Sequence, residues 1–256
     1  MKLSGKTALV TGAGGGLGQG IVMSLAKAGA DLALADLDLS TVQSVQGEVE
    51  TLGRKSTTIG VDVTQWDQVQ AMVEKCEKDL GKIDIVVNNA GVVKASFVET
   101  LEEADWDRIM NINAKGVFLC CKAVLAYLRK QGGGSIINVS SIAGKKGNPT
   151  MSAYNASKFA VIGFTQSLAL EVAKENITVN AICPGIIRTA MWDYLAELYK
   201  RPDETIEESW QRSVAATIPQ GRAQTPEDIG ELAVYIASAP NLTGQSINID
   251  GGIMMH

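Results

Sequence analysis

The sequence predicts an α/β fold, a doubly wound parallel β-sheet with helices on both faces. Short apolar runs alternate with amphipathic segments along the chain, which is the pattern of repeated βα units. A glycine-rich turn at residues 11–18 follows the first apolar run. With 256 residues and 46% hydrophobic content, the chain can bury a substantial core. Because there is no linker, internal repeat or low-complexity stretch, we interpret residues 1–256 as a single domain.

The first βα unit predicts a nucleotide site. Residues 7–10 form an apolar run, residues 21–28 have helical spacing, and residues 32–35 form a second apolar run that ends in Asp36. The glycines let the backbone pass close to a pyrophosphate, and the helix N-terminus offers free N–H groups. Asp36 stands 24 residues after Gly12, near the distance expected for an acid that binds ribose hydroxyls. A flexible glycine turn without a ligand is the alternative.

The strand–helix alternation continues to a final strand. The predicted strands are residues 57–61, 83–87, 136–139, 178–182 and 246–249, and the predicted helices are residues 66–80, 103–130, 153–173 and a segment that opens at Pro226. Ligands of such sheets bind at the carboxyl ends of the strands, so the residues directly after the strands are the candidates for a site.

A serine, a tyrosine and a lysine form the candidate catalytic group. Tyr154 and Lys158 are four residues apart, so they lie on one face of a predicted helix. A fixed ammonium nearby favours the phenolate form of a phenol whose ordinary pKa is about 10. Ser141 stands 13 residues before Tyr154, at the end of a predicted strand, where its hydroxyl can hydrogen-bond a substrate oxygen. Because Tyr-x-x-x-Lys is a common pattern, it indicates a catalytic role only where other motifs accompany it.

Those other motifs are present, in order, along essentially the whole chain. The set is Thr11-Gly12-x-x-x-Gly16-x-Gly18, Asn88-Asn89-Ala90-Gly91, Asn113, Ser141, Tyr154, Lys158 and Pro184-Gly185. In order and spacing it resembles the short-chain dehydrogenase/reductase family. The resemblance implies a Rossmann-type fold, a nicotinamide cofactor and a catalytic tetrad of Asn113, Ser141, Tyr154 and Lys158. Asn113 would support a water-mediated proton path to Lys158; a plain helix irregularity is the alternative.

The resemblance also implies which residues contact the cofactor. Asp62 and Val63 would lie against the adenine, although Asp62 could instead be a loop acid or a helix cap. The Ile187 backbone and Thr189 would hold the nicotinamide amide, while we interpret Asn88 as bracing the neighbouring strand. The expected cofactor contacts are Gly12, Gly15, Gly16, Leu17, Gly18, Asp36, Asp62, Val63, Asn89, Ala90, Gly91, Tyr154, Lys158, Pro184, Gly185, Ile187 and Thr189.

The charge around Asp36 predicts NAD rather than NADP. A carboxylate accepts hydrogen bonds from the two ribose hydroxyls of NAD but repels the 2′-phosphate of NADP. No arginine or lysine stands at positions 13–17 or 37–39 to receive that phosphate.

The substrate prediction depends on the residues between Thr189 and Pro226. The segment 191–210 is rich in large side chains, and we interpret it as part of a lid at about 189–225; a subunit contact or ordinary core is the alternative. Residues 147–149 and 189–192 resemble those of acetoin reductases (2,3-butanediol dehydrogenases) and polyol dehydrogenases, and the apolar Ile142 leaves the stereoisomer open. The expected substrate contacts are Ser141, Ile142, Asn148, Tyr154 and Trp192.

The predicted activity is reversible NAD(H)-dependent oxidation of a secondary alcohol, of the vicinal diol, acetoin or polyol type, with Tyr154 as the acid–base group. A sugar or sorbitol-type dehydrogenase and a 3-oxoacyl-carrier reductase are the alternatives within this class. The carrier reductase usually uses NADP and has a basic patch for its carrier protein. Asp36 and the net charge of −5 count against this alternative. An NAD-sensing binding protein is the alternative outside it, although such proteins often lose the tyrosine or lysine.

Composition limits the partners and the compartment. A net charge of −5 without a basic run gives no footprint for nucleic acid, and no apolar stretch reaches the roughly 18 residues of a membrane span. The chain opens without a signal peptide, and its four cysteines have no C-x-x-C spacing, so we expect reduced core thiols in a cytoplasmic protein. The only histidine is His256, so we expect neither a Ser-His-Asp triad nor a histidine-rich metal site.

Two apolar segments concern assembly. Residues 116–121 and 159–164 contain too few polar residues for a face exposed on a monomer, although packing against the sheet explains part of this. The family resemblance implies a homotetramer, and these segments support that expectation.

Overall fold

One parallel sheet forms the centre of the protein. A computed structural model describes residues 1–255. The strands in that part of the chain are β1 (Thr7–Thr11), β2 (Asp31–Asp36), β3 (Ser56–Gly60), β4 (Ile85–Asn88), β5 (Gly134–Val139), β6 (Ile177–Pro184) and β7 (Ser246–Ile249). Their order in the sheet is β3-β2-β1-β4-β5-β6-β7. Because β1 pairs with both β2 and β4, the winding reverses beside β1, and a ligand crevice is expected at the carboxyl ends there.

Helices cover both faces of this sheet. They are α1 (Gly16–Lys27), α2 (Leu39–Thr51), α3 (Trp66–Leu80), α4 (Glu103–Met110), α5 (Gly116–Gln131), α6 (Ser152–Glu171), α7 (Ala190–Tyr199), α8 (Ile206–Thr217) and α9 (Pro226–Ala237). The predicted doubly wound fold is confirmed, and the strands differ from the predicted bounds by a few residues at their ends.

The core consists of two clusters, one on each face of the sheet. Side chains along a strand alternate between faces, so Leu32 and Leu34 enter one cluster while Ala33 and Ala35 enter the other. The first cluster joins α1, α2 and α9 to the sheet, and the second joins α3, α5 and α6. With apolar packing on both faces, the strands read as continuous apolar runs in the sequence.

The predicted helix at residues 103–130 is interrupted. After α4, the five residues Asn111–Lys115 form a π-helical turn, and α5 follows directly. Such a turn holds an extra residue and changes the direction of the side chains within it. Here it buries Asn113 completely. The apolar pattern continues through the turn, so periodicity alone does not reveal it.

The segment after β6 contains two helices that the sequence analysis did not identify. Thr189 is the N-cap residue of α7. Thr205 begins α8 through a capping box: its hydroxyl accepts a hydrogen bond from the Glu208 amide, and the Glu208 carboxylate accepts one from the Thr205 amide. The segment therefore has secondary structure of its own.

One helical run has the length and composition of a membrane span, contrary to expectation. It is Glu103–Gln131, 29 residues with a mean hydropathy of 1.4 over its most apolar window. Isolated polar residues interrupt its apolar sequence without lowering that mean much. The same composition is found in core helices, and α5 packs here against α3, β4 and β5.

Candidate active site

A cavity of about 1020 Å³ lies at the carboxyl edge of the sheet. Residues that follow six of the strands line it, together with parts of α6 and α7 and the tail residues Ile253 and Met254. Every residue predicted to contact cofactor or substrate is in this lining. Asn113 lies behind the wall, fully buried.

The glycine-rich turn is shaped by close packing. Gly12 has a φ of 64°, and a Cβ there would lie 2.9 Å from the Cα of Ala90. A Cβ at Gly18 would overlap the carbonyl oxygen of Gly12. Asn89 holds the turn in place by donating a hydrogen bond from Nδ2 to that same oxygen, over 2.9 Å. The turn is therefore a fixed structure rather than a loose loop.

The N-terminus of α1 offers its amides to the cavity. Its N-cap residue, Gly15, makes no side-chain capping bond. Gly14, Gly15, Gly16 and Leu17 all line the cavity. Free N–H groups and the positive end of the helix dipole stabilise an anion at this position. The turn and the helix start together fit the phosphates of a dinucleotide.

Asp36 ends β2 beside this turn. One carboxylate oxygen accepts a hydrogen bond from the Gly14 amide at 2.9 Å, and the other accepts one from the Asp38 amide at 3.3 Å. Among the described residues, no lysine or arginine lies within salt-bridge distance of Asp36. The carboxylate thus carries an uncompensated negative charge into the cavity wall.

Two further acidic and amide side chains have partners within the protein. Asp62 accepts hydrogen bonds from both the amide and the hydroxyl of Thr64, at 2.9 and 2.8 Å, which is the loop role left open for it. Asn88 is buried and donates from Nδ2 to Oδ1 of Asn138 over 2.8 Å. The interpretation of Asn88 as a brace between neighbouring strands agrees with this bond.

Tyr154, Lys158 and Ser141 come together at the inner end of the cavity. Tyr154 lies in the first turn of α6, and the Ser141 side chain is near enough to its phenol to lower the pKa of that phenol. The Lys158 ammonium lies 5.6 Å from the centre of the Tyr154 ring and donates a hydrogen bond to the Val139 carbonyl at 2.9 Å. The neighbouring Ser140 is engaged elsewhere, since its hydroxyl donates to the Lys158 carbonyl. The geometry thus favours Ser141 over Ser140 as the hydroxyl that meets a substrate.

Burial dominates the ionisation of this pair. It raises the pKa of the Tyr154 phenol to about 12, against a smaller lowering by the Ser141 hydrogen bond. It also lowers the pKa of the Lys158 ammonium to about 8. The expectation that Lys158 brings the phenol below its ordinary pKa is therefore wrong for the chain alone. Loss of water around each group is the largest influence on its pKa.

Asn113 supports the site from behind. Its Oδ1 accepts a hydrogen bond from the Val92 amide at 2.8 Å, and its Nδ2 donates to the Val92 carbonyl and to the Ser157 hydroxyl at 2.9 and 3.0 Å. A Cβ placed on Gly91 would lie 3.3 Å from Asn113 Oδ1 and 3.6 Å from Lys158 Nζ. Asn113 thus joins the loop after β4 to α6, and both Asn113 and Lys158 lie close to Gly91.

The substrate end includes residues that the sequence analysis did not assign. They are Ala143, Met151, Ile186, Met191, Leu195, Tyr199, Ile253 and Met254. Met191, Leu195 and Tyr199 belong to the segment predicted as a lid, so their contribution follows from that prediction. Nothing local in the sequence marks the tail residues Ile253 and Met254, which reach the cavity through tertiary folding.

Arg188 connects the two lid helices to the loop after β6. Its Nε lies 2.6 Å from an Asp193 carboxylate oxygen in α7, and a terminal nitrogen lies 2.8 Å from Glu207 in α8. Its guanidinium also covers the Trp210 ring, 5.0 Å from the ring centre, and Trp210 meets Trp192 edge to face at 5.8 Å. No spacing rule in the sequence predicts this cluster.

The cysteines take no part in the site. All four are free and buried, as expected for core thiols. Burial raises the pKa of Cys120 to about 12, so its thiol stays protonated at neutral pH. Residues 1–255 contain no group of three His, Cys, Asp or Glu side chains placed to hold a metal ion. His256, on which the prediction of no Ser-His-Asp triad depends, lies outside the described residues.

Comparison with known proteins agrees with this geometry. A family model described as short chain dehydrogenase matches residues 6–200. The chain is 39% identical to the 3-oxoacyl-(acyl-carrier-protein) reductase FabG of Thermotoga maritima and 35% identical to the galactitol 2-dehydrogenase of Agrobacterium fabrum, each over 100% of both chains. The crystal structure of an NAD+-bound xylitol dehydrogenase shares 32% identity and a TM-score of 0.93, covering 98% of this chain and 100% of that one. The chain therefore belongs to the short-chain dehydrogenase/reductase family.

Proposed function

We propose that this protein catalyses the reversible, NAD(H)-dependent oxidation of a secondary alcohol to a ketone. The observation that carries the proposal is the grouping of Ser141, Tyr154 and Lys158 in the wall of one cavity, with the Lys158 ammonium 5.6 Å from the centre of the Tyr154 ring. A helix N-terminus and an acidic residue suited to a dinucleotide line the same cavity. The two halves together bring a proton-transfer group to a site for a redox cofactor.

The proposed cofactor is NAD, which accepts a hydride on its nicotinamide ring when bound. The amides at the start of α1 would hold its phosphates. The Asp36 carboxylate would accept hydrogen bonds from the two hydroxyls of the adenosine ribose. Val63 would lie against the adenine, and the Ile187 backbone and Thr189 would hold the nicotinamide amide. The uncompensated charge of Asp36 supports NAD over NADP, and the similar xylitol dehydrogenase structure contains bound NAD+.

In the proposed chemistry, the phenolate of Tyr154 removes the hydroxyl proton of the alcohol. In the reverse direction, the Tyr154 phenol gives a proton back. Ser141 holds the reacting oxygen. Lys158, when charged, would stabilise the phenolate and would contact the nicotinamide ribose of a bound cofactor. Asn113 has hydrogen-bond partners on the loop after β4 and on α6. We therefore propose that it fixes the position of Lys158 relative to that loop and supports the proton path there.

The substrate class we propose is a vicinal diol, acetoin or polyol-type alcohol. Similarity to a galactitol dehydrogenase and to a xylitol dehydrogenase supports a hydroxylated small molecule. A 3-oxoacyl-carrier reductase is the second candidate, favoured by the 39% identity to the Thermotoga enzyme. A binding protein that only senses NAD is the third, and the intact Ser141, Tyr154 and Lys158 count against it.

We also propose a lid and an assembly. Residues 1–256 would form one domain in which about 189–225, containing α7 and α8, closes over the substrate. Phe118 and Phe159 are 43% and 47% exposed on α5 and α6, which supports a subunit contact there within a homotetramer. Free, buried cysteines are compatible with a cytoplasmic location.

The test is a steady-state assay of NAD and NADP reduction with a panel of secondary alcohols. The unaltered protein should reduce NAD with at least one of them. Tyr154→Phe should lower kcat by at least about 100-fold, because general acid–base catalysis is typically worth 10²–10⁴-fold. Its dissociation constant for NAD should stay unchanged. A Tyr154→Phe protein that kept half of the activity would remove Tyr154 from the mechanism.

A further inference from the structure

We infer that the substrate end of the cavity takes an alcohol or ketone with an apolar carbon skeleton and at most two oxygens, and that it rejects polyols. This inference rests on the proposed function and narrows its substrate class. It follows from how apolar and polar side chains are divided between the inner end of the cavity and its mouth.

The inner wall around the reacting hydroxyl is apolar. Tyr154 packs in one buried cluster with Ala143, Met151 and Leu195, whose exposed fractions are 5%, 9% and 6%. Met191 and Trp192 pack against the same cluster, and all five of these neighbours line the cavity. A substrate oxygen placed at Tyr154 therefore has carbon and sulphur around the rest of the molecule.

The inner polar groups serve a single oxygen. Ser141 and Tyr154 are neighbours in the cavity wall and both carry a hydroxyl. The Ser140 hydroxyl donates its hydrogen bond to the Lys158 carbonyl, so it is not available as a donor to the substrate. Among the described residues that line the cavity, the carboxylates are Asp36 and Asp62, which follow β2 and β3 at the dinucleotide end.

Exposed polar side chains also belong to the cavity wall. They include Arg108, Lys146, Asn148 and Thr217. Two more polar groups there are satisfied by each other, because the hydroxyls of Thr150 and Tyr199 lie 2.6 Å apart. These exposed groups can pair with a further substrate oxygen, whereas the buried cluster around Tyr154 offers no partner to the other hydroxyls of a polyol.

A polyol would therefore lose water at several hydroxyls and gain no partner for most of them. Unpaired polar groups in a buried site oppose binding, whereas apolar carbons against an apolar wall favour it. The wall thus selects skeletons such as butanol or a cyclic alcohol over pentitols and hexitols, even though relatives of this chain are named for xylitol and galactitol.

The experiment compares kcat/KM for NAD reduction with 2,3-butanediol, 2-butanol and cyclohexanol against xylitol and galactitol. The best apolar alcohol should exceed either polyol by at least about 30-fold, the effect of one or more hydroxyls left without partners. A polyol within about threefold of the best apolar alcohol, or above it, overturns the inference.

A matched pair of variants assigns the effect to the wall. Leu195→Asn places an amide in the inner wall and should narrow the apolar-to-polyol ratio by about 10-fold or more, with NAD affinity unchanged. Leu198→Asn makes the same change on the same helix at a residue that is 49% exposed and outside the cavity lining, and it should leave the ratio unchanged. An equal ratio in all three proteins overturns the assignment to this wall.

A binding measurement separates this inference from the proposed reaction. Saturation-transfer NMR with NADH present should show contact between the protein and cyclohexanone, and none with xylitol at the same concentration. If no alcohol reduces NAD but this difference in binding holds, the proposed reaction fails and the apolar pocket stands. Binding of xylitol as strong as that of cyclohexanone, or binding of neither, overturns the inference.

Discussion

The hydroxyl of Thr150 lies 2.6 Å from the phenolic oxygen of Tyr199, across the mouth of the cavity. Tyr199 is the last residue of α7, and Thr150 belongs to the loop before α6. Thr150 has a φ of 64°, a left-handed conformation that is rare for a β-branched residue. The Thr150 carbonyl accepts a hydrogen bond from the Ser96 amide at 2.7 Å, which helps to hold this conformation. This contact joins the proposed lid to the opposite wall.

The first prediction concerns this contact. Tyr199→Phe removes one hydrogen bond, so the lid should close less often and KM for the alcohol should rise by about 2- to 10-fold. The dissociation constant for NAD, measured by titration, should stay the same because the dinucleotide end is untouched. Tyr235→Phe, at a 55% exposed tyrosine on α9, is the matched control and should change neither value. An unaltered KM in Tyr199→Phe would show that the lid closes without this bond.

The second prediction concerns Asp36 and the choice of cofactor. Asp36→Ala combined with Leu37→Arg removes the repelling carboxylate and adds a partner for the 2′-phosphate. The ratio of kcat/KM for NADP to that for NAD should rise by at least about 10-fold. Leu37→Arg alone should shift it less, because the Asp36 charge remains. A ratio that is the same in the double variant and the unaltered protein would place Asp36 away from the ribose.

Features with a local cause could be predicted from the sequence. The strand, glycine turn and helix of residues 7–28 follow from apolar runs and from glycine at Gly12 and Gly18, where packing leaves no room for a side chain. The four-residue spacing of Tyr154 and Lys158 brings them together on α6 without any knowledge of the fold.

Features that depend on distant segments could not be predicted. Thr150 and Tyr199 are 49 residues apart, and no pattern in either segment specifies the other. Arg188 stands between two predicted cofactor contacts, Ile187 and Thr189, yet its bonds to Asp193 and Glu207 need the two lid helices in place first. The ionisation of Tyr154 was predicted in the wrong direction, because spacing shows which charges are near and not how much water is lost.

The third prediction tests the close packing of α1 against α9. A Cβ at Gly230 would overlap the Ser24 hydroxyl and lie 2.5 Å from the Gly20 carbonyl oxygen. Gly230→Ala should therefore lower the free energy of unfolding by about 1–3 kcal/mol, as overpacking does. Gly47→Ala, at an exposed position in α2 with open space around it, should raise that free energy by about 0.5–1 kcal/mol. Urea unfolding followed by circular dichroism measures both; a Gly230→Ala protein as stable as Gly47→Ala would show that the helices move apart freely.

The fourth prediction concerns assembly. Light scattering should give a mass near four times the 27.1 kDa of one chain. Phe159→Asp replaces an exposed ring of α6 by a charge and should reduce that mass. Tyr235→Asp on α9 is the exposed aromatic control and should leave it unaltered. A single-chain mass for the unaltered protein would sink the proposed tetramer.

The last prediction concerns the pH dependence of alcohol oxidation. The pKa of Tyr154 is about 12, so below pH 8 only a small fraction of the phenol is ionised, and this fraction rises tenfold with each pH unit. The Lys158 ammonium, with a pKa of about 8, stays mostly charged over that range. Log kcat/KM for oxidation should thus rise with a slope near one up to about pH 8. Above it, Lys158 loses its charge, the phenolate loses the cation that stabilises it, and the rise should flatten.

Lys158→Arg separates the two effects, because arginine keeps its charge throughout the assay range. Its absolute rate should be lower, since the guanidinium fits the site differently, but its profile should continue to rise above pH 8. A primary isotope effect with deuterated alcohol identifies the pH range in which hydride transfer limits the rate, and the slopes are read there. Ketone reduction should stay level up to about pH 8, because Tyr154 with a pKa of about 12 carries its proton throughout that range, and it should fall above pH 8 as Lys158 loses its charge. A profile that stays level between pH 6 and 8 while the isotope effect is fully expressed would mean that ionisation of Tyr154 does not control the reaction.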